Sequence, residues 1–361
     1  MEASEKRARI FLKRYTIPIV ILLVLIIARL LLPYFLKRYV NKTLDDIPGY
    51  TGYVEDIDVA LLRGAYVIKG LILKKEDRIT ETPILDFEKS DISIEWRALF
   101  KGRIVSEIIL YNPKFNYVTE DQGSETEADV DDWTEALTSL VPIDINHLVV
   151  HNGRANFAEL NADPPIQLFL NEIELKATNL SNVVNEDFAL PSNLYATAVS
   201  IGGGAVVLDG DLNLLKKIPD VDINFELQKA DVTALNDLIS NVAGVDFESG
   251  TFELYSEVAI ADGYLKGYLK PMFINTKLLG EDDKGFFEKL WEGFVGVFKF
   301  ILKNKGTDTL ATRAPIEGDL KNLDTGVFRT ILNIFKNGWI SAFSGEVDEN
   351  IEFEDAARAK S

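Results

Sequence analysis

Cysteine is absent from the chain, which excludes a disulfide framework and any thiolate metal site and removes every trace of the compartment's redox state. Histidine is almost absent. His147 and His151 are the only two; on a strand they would share a face but stand ~13 Å apart, too far for one metal ion. The sequence has no G-x-S-x-G, no H-E-x-x-H and no phosphate-cradling loop closed by Lys-Ser/Thr. Gly202-Gly203-Gly204 has no such ending and reads as a hairpin turn. No catalytic residue, cofactor or metal ligand can be nominated, and the chain is not expected to be an enzyme. Carboxylate pairs carry no information on so acidic a protein.

Basic residues are scarce beyond the N-terminus. The segment 1–42 holds nine Lys/Arg against Glu2 and Glu5; removing these from the chain's 38 basic and 57 acidic residues leaves 29 against 55 over 43–361. A surface so negative repels polyanions, and no basic strip with interleaved aromatics offsets it, so nucleic acid is excluded as a partner.

One long apolar run is present. IPIVILLVLIIARLLLPYF (17–35) carries a single charge, Arg29, and approaches the ~20 residues that cross ~30 Å of hydrocarbon. It is apolar on all sides, unlike a surface helix of a soluble protein. Arg29 can snorkel to the nearer interface, and Tyr15, Tyr34 and Tyr39 suit the headgroup level. Five basic residues precede the run and three follow it, which favours a cytoplasmic N-terminus. No small-x-small cleavage site follows, so the anchor is expected to stay attached. The expected organisation is a basic cytoplasmic tail (1–14), a transmembrane anchor (15–36) and an exported domain (43–361).

That domain reads as mainly β. Alternating segments recur at 54–60, 66–73, 91–96, 103–111, 147–159, 168–177, 205–214, 221–228, 251–260, 264–270 and 313–320, with mostly short linkers that suit a meandering antiparallel sheet. Within 147–159, Asn152-Gly153 has the composition of a type I′ hairpin turn. VDINFEL shows the alternation most clearly: Val221, Ile223, Phe225 and Leu227 share one face, against Asp222, Asn224 and Glu226 on the other. The dry face needs a second layer, a curl of the sheet on itself, or an apolar ligand. The stretch 119–132 holds seven acidic residues and reads as a solvated loop leading into a short helix from Trp133 to Leu140; its spacing is not that of an EF-hand. Two later segments have helical period. In 281–304, Phe287, Leu290, Trp291, Phe294, Phe298 and Ile301 recur on one side, and 326–343 repeats the aromatic amphipathic theme. Such helices cover a sheet end or rest on membrane or lipid.

Three segments together resemble the AsmA-like envelope proteins, a group with TamB-like members and relatives described only as a domain of unknown function. They are IPGYTGYVEDIDVALLRGAYVIKGLIL (47–73) after the apolar helix, ILDFEKSDISIEWRALFKGRIVSEIILYNPKFNYV (84–118), and LVPIDINHLVVHNGRANFAELNADPPIQLFLNEIELKATNLSNV (140–184). GVDFESGTFELYSEVAIADGYLKGYLKP (244–271) extends the similarity weakly. The resemblance implies an elongated, curled, groove-like antiparallel sheet anchored in the bacterial inner membrane and projecting into the periplasm. It further implies a role in phospholipid movement or outer-membrane homeostasis, with envelope proteins as partners, and carries over no catalytic residue. Val221, Ile223, Phe225 and Leu227 would then face a lipid groove. A non-catalytic scaffold that carries no lipid fits the same residues, and no feature of the sequence decides between the two.

Overall fold

The computed structural model describes residues 2–60, 63–94, 106–122, 145–180, 189–213, 218–243, 246–279, 309–311 and 314–321, with 330, 331, 334, 335 and 337. One long helix, α1 (Glu2–Asp45), leads into a mainly β domain. Its segment from Thr16 is long and apolar enough to cross a membrane, and none of its most apolar window is buried against protein.

The strands are β1 (Tyr50–Ala60), β2 (Ala65–Lys75), β3 (Leu85–Ile94), β4 (Ser106–Val118), β5 (Ile145–Glu159), β6 (Ile166–Thr178), β7 (Ser192–Ser200), β8 (Ala205–Asn213), β9 (Asp220–Asp231), β10 (Phe247–Ala261), β11 (Tyr264–Leu278), β12 (Thr309–Ala311) and β13 (Ala314–Asp319). They form one sheet in which β1 to β12 are neighbours in chain order, while β13 also pairs with β11. Among the described residues β1 does not meet β12, so the sheet is open. A 3₁₀ turn (Val232–Leu235) and the short helix α2 (Asn236–Ala243) lie between β9 and β10.

The pairing is antiparallel except once. β4 and β5 run parallel, Ile108 opposite Leu148 and Lys114 opposite Arg154, which corrects the expectation of a purely antiparallel meander. The 26 residues between them, 119–144, supply the crossover that a parallel pair needs. The same observation corrects the expected hairpin at Asn152-Gly153. β5 runs unbroken through both residues; Asn152 is left-handed (φ 52°), but it makes a bulge inside the strand rather than a turn. The Gly202–Gly204 turn does join β7 to β8, with left-handed Gly202 and Gly203 and the Ser200 N–H donating to the Gly204 carbonyl at 2.8 Å.

An edge strand exposes unpaired backbone groups that invite another chain. Helix α1 covers the β1 edge: the Val54 N–H donates to Asn41 Oδ1 at 2.8 Å, and Lys37 Nζ donates to the Glu55 carbonyl at 2.5 Å. Val40, Leu44 and Ile47 are buried there with Tyr50, Val54, Ile57 and Leu73, and Leu32 and Leu36 pack against them. Gly52 permits the approach, since a Cβ there would lie 3.1 Å from that of Leu44.

The acidic stretch 119–132 is not wholly a solvated loop. Thr119–Gln122 forms a 3₁₀ turn, and Asp121, 5% exposed, accepts the Ile79 and Thr80 N–H groups at 2.6 and 2.8 Å and the Thr80 hydroxyl. The remainder of that stretch, and the helix expected at 133–140, lie outside the described residues. Replacing Asp121 by Ala leaves two loop N–H donors unpaired at the β2–β3 connection. A loss of about 1–3 kcal/mol is expected, read as a lower thermal midpoint of the purified protein.

Candidate functional site

The expected dry face of β9 is part of a larger surface. Across the ladder Phe225 is opposite Leu208, Leu208 opposite Ala196, Ala196 opposite Leu175, Leu175 opposite Val150, and Val150 opposite Leu110. A second row, one alternate position along, runs Ile223, Gly210, Leu194, Ala177, Leu148, Ile108. Directly opposed residues lie on the same face of a sheet, so two apolar rows cross six consecutive strands side by side.

The cover over this face is uneven. At the first strands the face lies under the end of α1, where Ile57, Ile68, Ile92 and Ile108 are buried. The 3₁₀ turn and α2 place Val232, Leu235 and Ile239 against Val206, Leu227, Phe252 and Phe273, with Leu168, Leu170, Ala198 and Phe225 packed at the margin. A third cluster holds Ile260, Leu265, Leu269, Ile316 and Leu320, with Val221 at its margin. Between these clusters Leu175, Leu194, Ala196, Leu208 and Ile223 are only half-buried, and no cluster of described residues covers them. Of the four nominated side chains, Leu227 is buried, Phe225 and Val221 lie at the margins of two different clusters, and Ile223 stands in the uncovered centre.

The opposite face is polar. Asp209, Asn224 and Glu257 are aligned across β8–β10, and Asn193 donates to Asp211 at 2.5 Å. A crease crosses this sheet. The pairing register aligns Glu55, Gly70, Glu88, Asn112 and Asn152 on β1 to β5. Gly70, Asn112, Asn152 and, on β6, Glu172 are all left-handed. At Gly70 a Cβ would meet the Glu55 side chain at 2.4 Å. On each strand the apolar alternation slips by one residue at the line: Val54 is followed by Ile57, Ile68 by Leu71, and Val150 by Gly153 as the buried positions. The slip keeps apolar side chains on one side of a strand that bends. Side-chain hydrogen bonds run along the line, from Asn112 to Glu88 at 2.7 Å, from Asn152 to Asn112 Oδ1 at 2.6 Å, and from the Asn152 N–H to Glu174 at 2.8 Å. The His151 ring bonds Glu174 at 2.8 Å. At the β6 end the crease opens into a cleft lined by Asn152, Glu172, Glu174, Thr197, Ala198 and Val199. It offers hydrogen-bond acceptors and negative charge. Among the described residues no group of three His, Asp or Glu side chains is placed to hold a metal ion.

No protein-family model matches the chain, and no curated protein matches it.

Phe287, Leu290, Trp291, Phe294, Phe298 and Ile301, nominated as a membrane- or lipid-facing helix, lie outside the described residues. Of 326–343 only Thr330, Ile331, Ile334, Phe335 and Asn337 are described; they are helical, and Ile331, Ile334 and Phe335 pack on the third cluster. The crease was missed because Asn152-Gly153 reads as a turn. A signal was available: IILYNPKFNYV (108–118) and LVVHNGRANFA (148–158) match in kind position by position. The parallel pairing stacks them, with Tyr111 on His151 at 5.5 Å, Tyr117 on Phe157 at 5.9 Å and Asn156 donating to Asn116 at 2.5 Å.

Two outcomes follow from the crease. Glu172 holds a left-handed backbone (φ 52°) that disfavours a side chain by ~1–2 kcal/mol; Glu172→Gly is expected to stabilise the sheet by about 1 kcal/mol after glycine's extra chain entropy, measured by denaturant titration. The Asn152 N–H and the His151 ring hold the Glu174 carboxyl below the usual carboxylate range. A depressed carboxylate contributes stability above its unfolded value, ~4.3, and loses it as pH falls through the folded value. The Glu174 side chain is 53% exposed, so the increment is under ~1 kcal/mol. Glu174→Gln should lower the melting temperature slightly at neutral pH and flatten its decline in acid.

Proposed function

We propose that the chain is an AsmA-like, membrane-anchored lipid-binding or lipid-transfer protein without catalytic activity. In this reading α1 crosses the bacterial inner membrane with its N-terminus in the cytoplasm. The sheet stands in the periplasm, elongated and curled into a groove, and serves outer-membrane homeostasis. The observation that supports it is the pair of apolar rows whose centre no described cluster covers. Acyl chains of a phospholipid suit such a face, because each buried methylene contributes ~0.8 kcal/mol and no directional contact is required. The acidic outer face keeps the same strands soluble. Twelve neighbouring strands at ~4.8 Å reach ~53 Å, so delivery across an envelope would call on protein partners at the far end.

The second reading is a scaffold that carries no lipid, favoured by the apolar clusters that already cover both ends of the face. Mass spectrometry of lipid retained by the exported domain, purified without detergent, separates the two: stoichiometric phospholipid is expected, and none would favour the scaffold. On the same material Ile223→Asp, in the uncovered centre of the face, is expected to remove bound lipid while leaving the melting transition nearly in place. In a packed interior the unpaired carboxylate would instead cost several kcal/mol and collapse the transition.

A further inference from the structure

Helix α1 and strand β1 run side by side in opposite directions. Leu44 lies against Gly52, Asn41 bonds Val54, Lys37 bonds Glu55, and Arg29 meets Asp58 at 2.7 Å. From Leu44 to Arg29 the helix rises ~22 Å, and from Gly52 to Asp58 the strand rises ~20 Å. The two elements keep in step over that length, and the sheet reaches back along the helix as far as Arg29 and beyond it to Val59 and Ala60.

This pairing sets how much helix is left for a membrane. Within the apolar run only Ile17–Ala28 has no strand bonded beside it, twelve residues or ~18 Å, about 12 Å short of the hydrocarbon layer. The rest of the run keeps one side on the sheet and leaves Leu30, Leu31, Tyr34 and Phe35 exposed at 71%, 51%, 62% and 59%. A bilayer deep enough to cover those side chains must also meet the end of the sheet beside them. Arg29, whose charge would be costly in hydrocarbon, already has its counter-ion in Asp58 on the strand.

Among the described residues the two sheet ends differ in charge. At the end beside Arg29, Arg63 pairs with Asp91; at the opposite end of β4 the turn Thr119–Gln122 holds Glu120 and Asp121. Anionic headgroups repel the second end.

We propose that the ends of β1 and β2, with Arg63, sit in the phospholipid headgroup layer of the membrane that α1 crosses, and that the Arg29–Asp58 ion pair fixes their depth. The inference rests on α1 spanning the membrane. The second apolar row, which continues from Ile108 through Ile92 to Tyr66 and Val59, then begins at the lipid surface itself rather than at the tip of a stalk.

The absence of cysteine makes the test clean. Full-length protein carrying a fluorophore on Ala60→Cys, Glu76→Cys or Leu22→Cys, all exposed positions, is reconstituted into phosphatidylcholine–phosphatidylglycerol vesicles. The vesicles contain lipid with a nitroxide either at the headgroup or at mid-chain. Leu22→Cys should lose most of its fluorescence to the mid-chain nitroxide and Ala60→Cys to the headgroup nitroxide, while Glu76→Cys, ~36 Å along β2, keeps its own. Quenching at Leu22 with Ala60 as unquenched as Glu76 overturns the inference and leaves the anchor standing. No quenching at Leu22 overturns the anchor, and the inference with it.

Discussion

The ladder that joins β1 to β11 without exchange of order is the constraint on which everything else depends. Because side chains alternate with a period of two, each added strand must present its apolar residues on the side its predecessor chose. The aligned rows from Ile108 and Leu110 to Ile223 and Phe225 are the record of that rule being obeyed strand after strand. At the crease the alternation slips, and it slips on neighbouring strands at the same level. A slip on one strand alone would have turned half of its apolar side chains into water.

A sheet built this way has two edges, and the chain treats them differently. The first is closed by α1, whose Asn41 and Lys37 take up backbone groups that would otherwise attract another strand. The second is built from two short strands, β12 and β13, that share the length of β11; short edge strands give a foreign chain little to pair with. The same helix that closes the first edge supplies the apolar segment, so anchoring and edge protection are one piece of structure.

Much of the architecture was legible in the sequence, and what was not has specific causes. VDINFEL alternates cleanly, YVIKGLIL and LFLNEIELKA alternate on either side of the crease, and all three are strands. β7 was missed because SNLYATAVS is rich in small residues and its inward positions, Leu194, Ala196 and Ala198, barely contrast with Thr197 and Val199. The parallel step was missed although its signature, 26 residues between two strands, stood in the sequence, because an acidic stretch reads first as solvated loop. Asn152-Gly153 misled for a deeper reason. The left-handed propensity was read correctly, yet the same backbone state serves a turn and an in-line bulge, and only the partner strand decides which. For the candidate site, the sequence singled out one strand's worth of a face that spans six; the rows appear only once register is known.

Neighbours in the sheet are neighbours in the sequence from β1 to β12, with a single long crossover between β4 and β5. Viewed in time rather than space, that order is an assembly schedule. A chain that emerges N-terminus first delivers α1, then β1 against it, and each later strand finds its template already in place. Most pairings then close only a short loop, which keeps the folding search local. Two strands must wait for a distant segment, β5 after 119–144 and β12 after 279–308, and of the two it is the crossover that leaves a partly made sheet with an unpaired, apolar edge at β4.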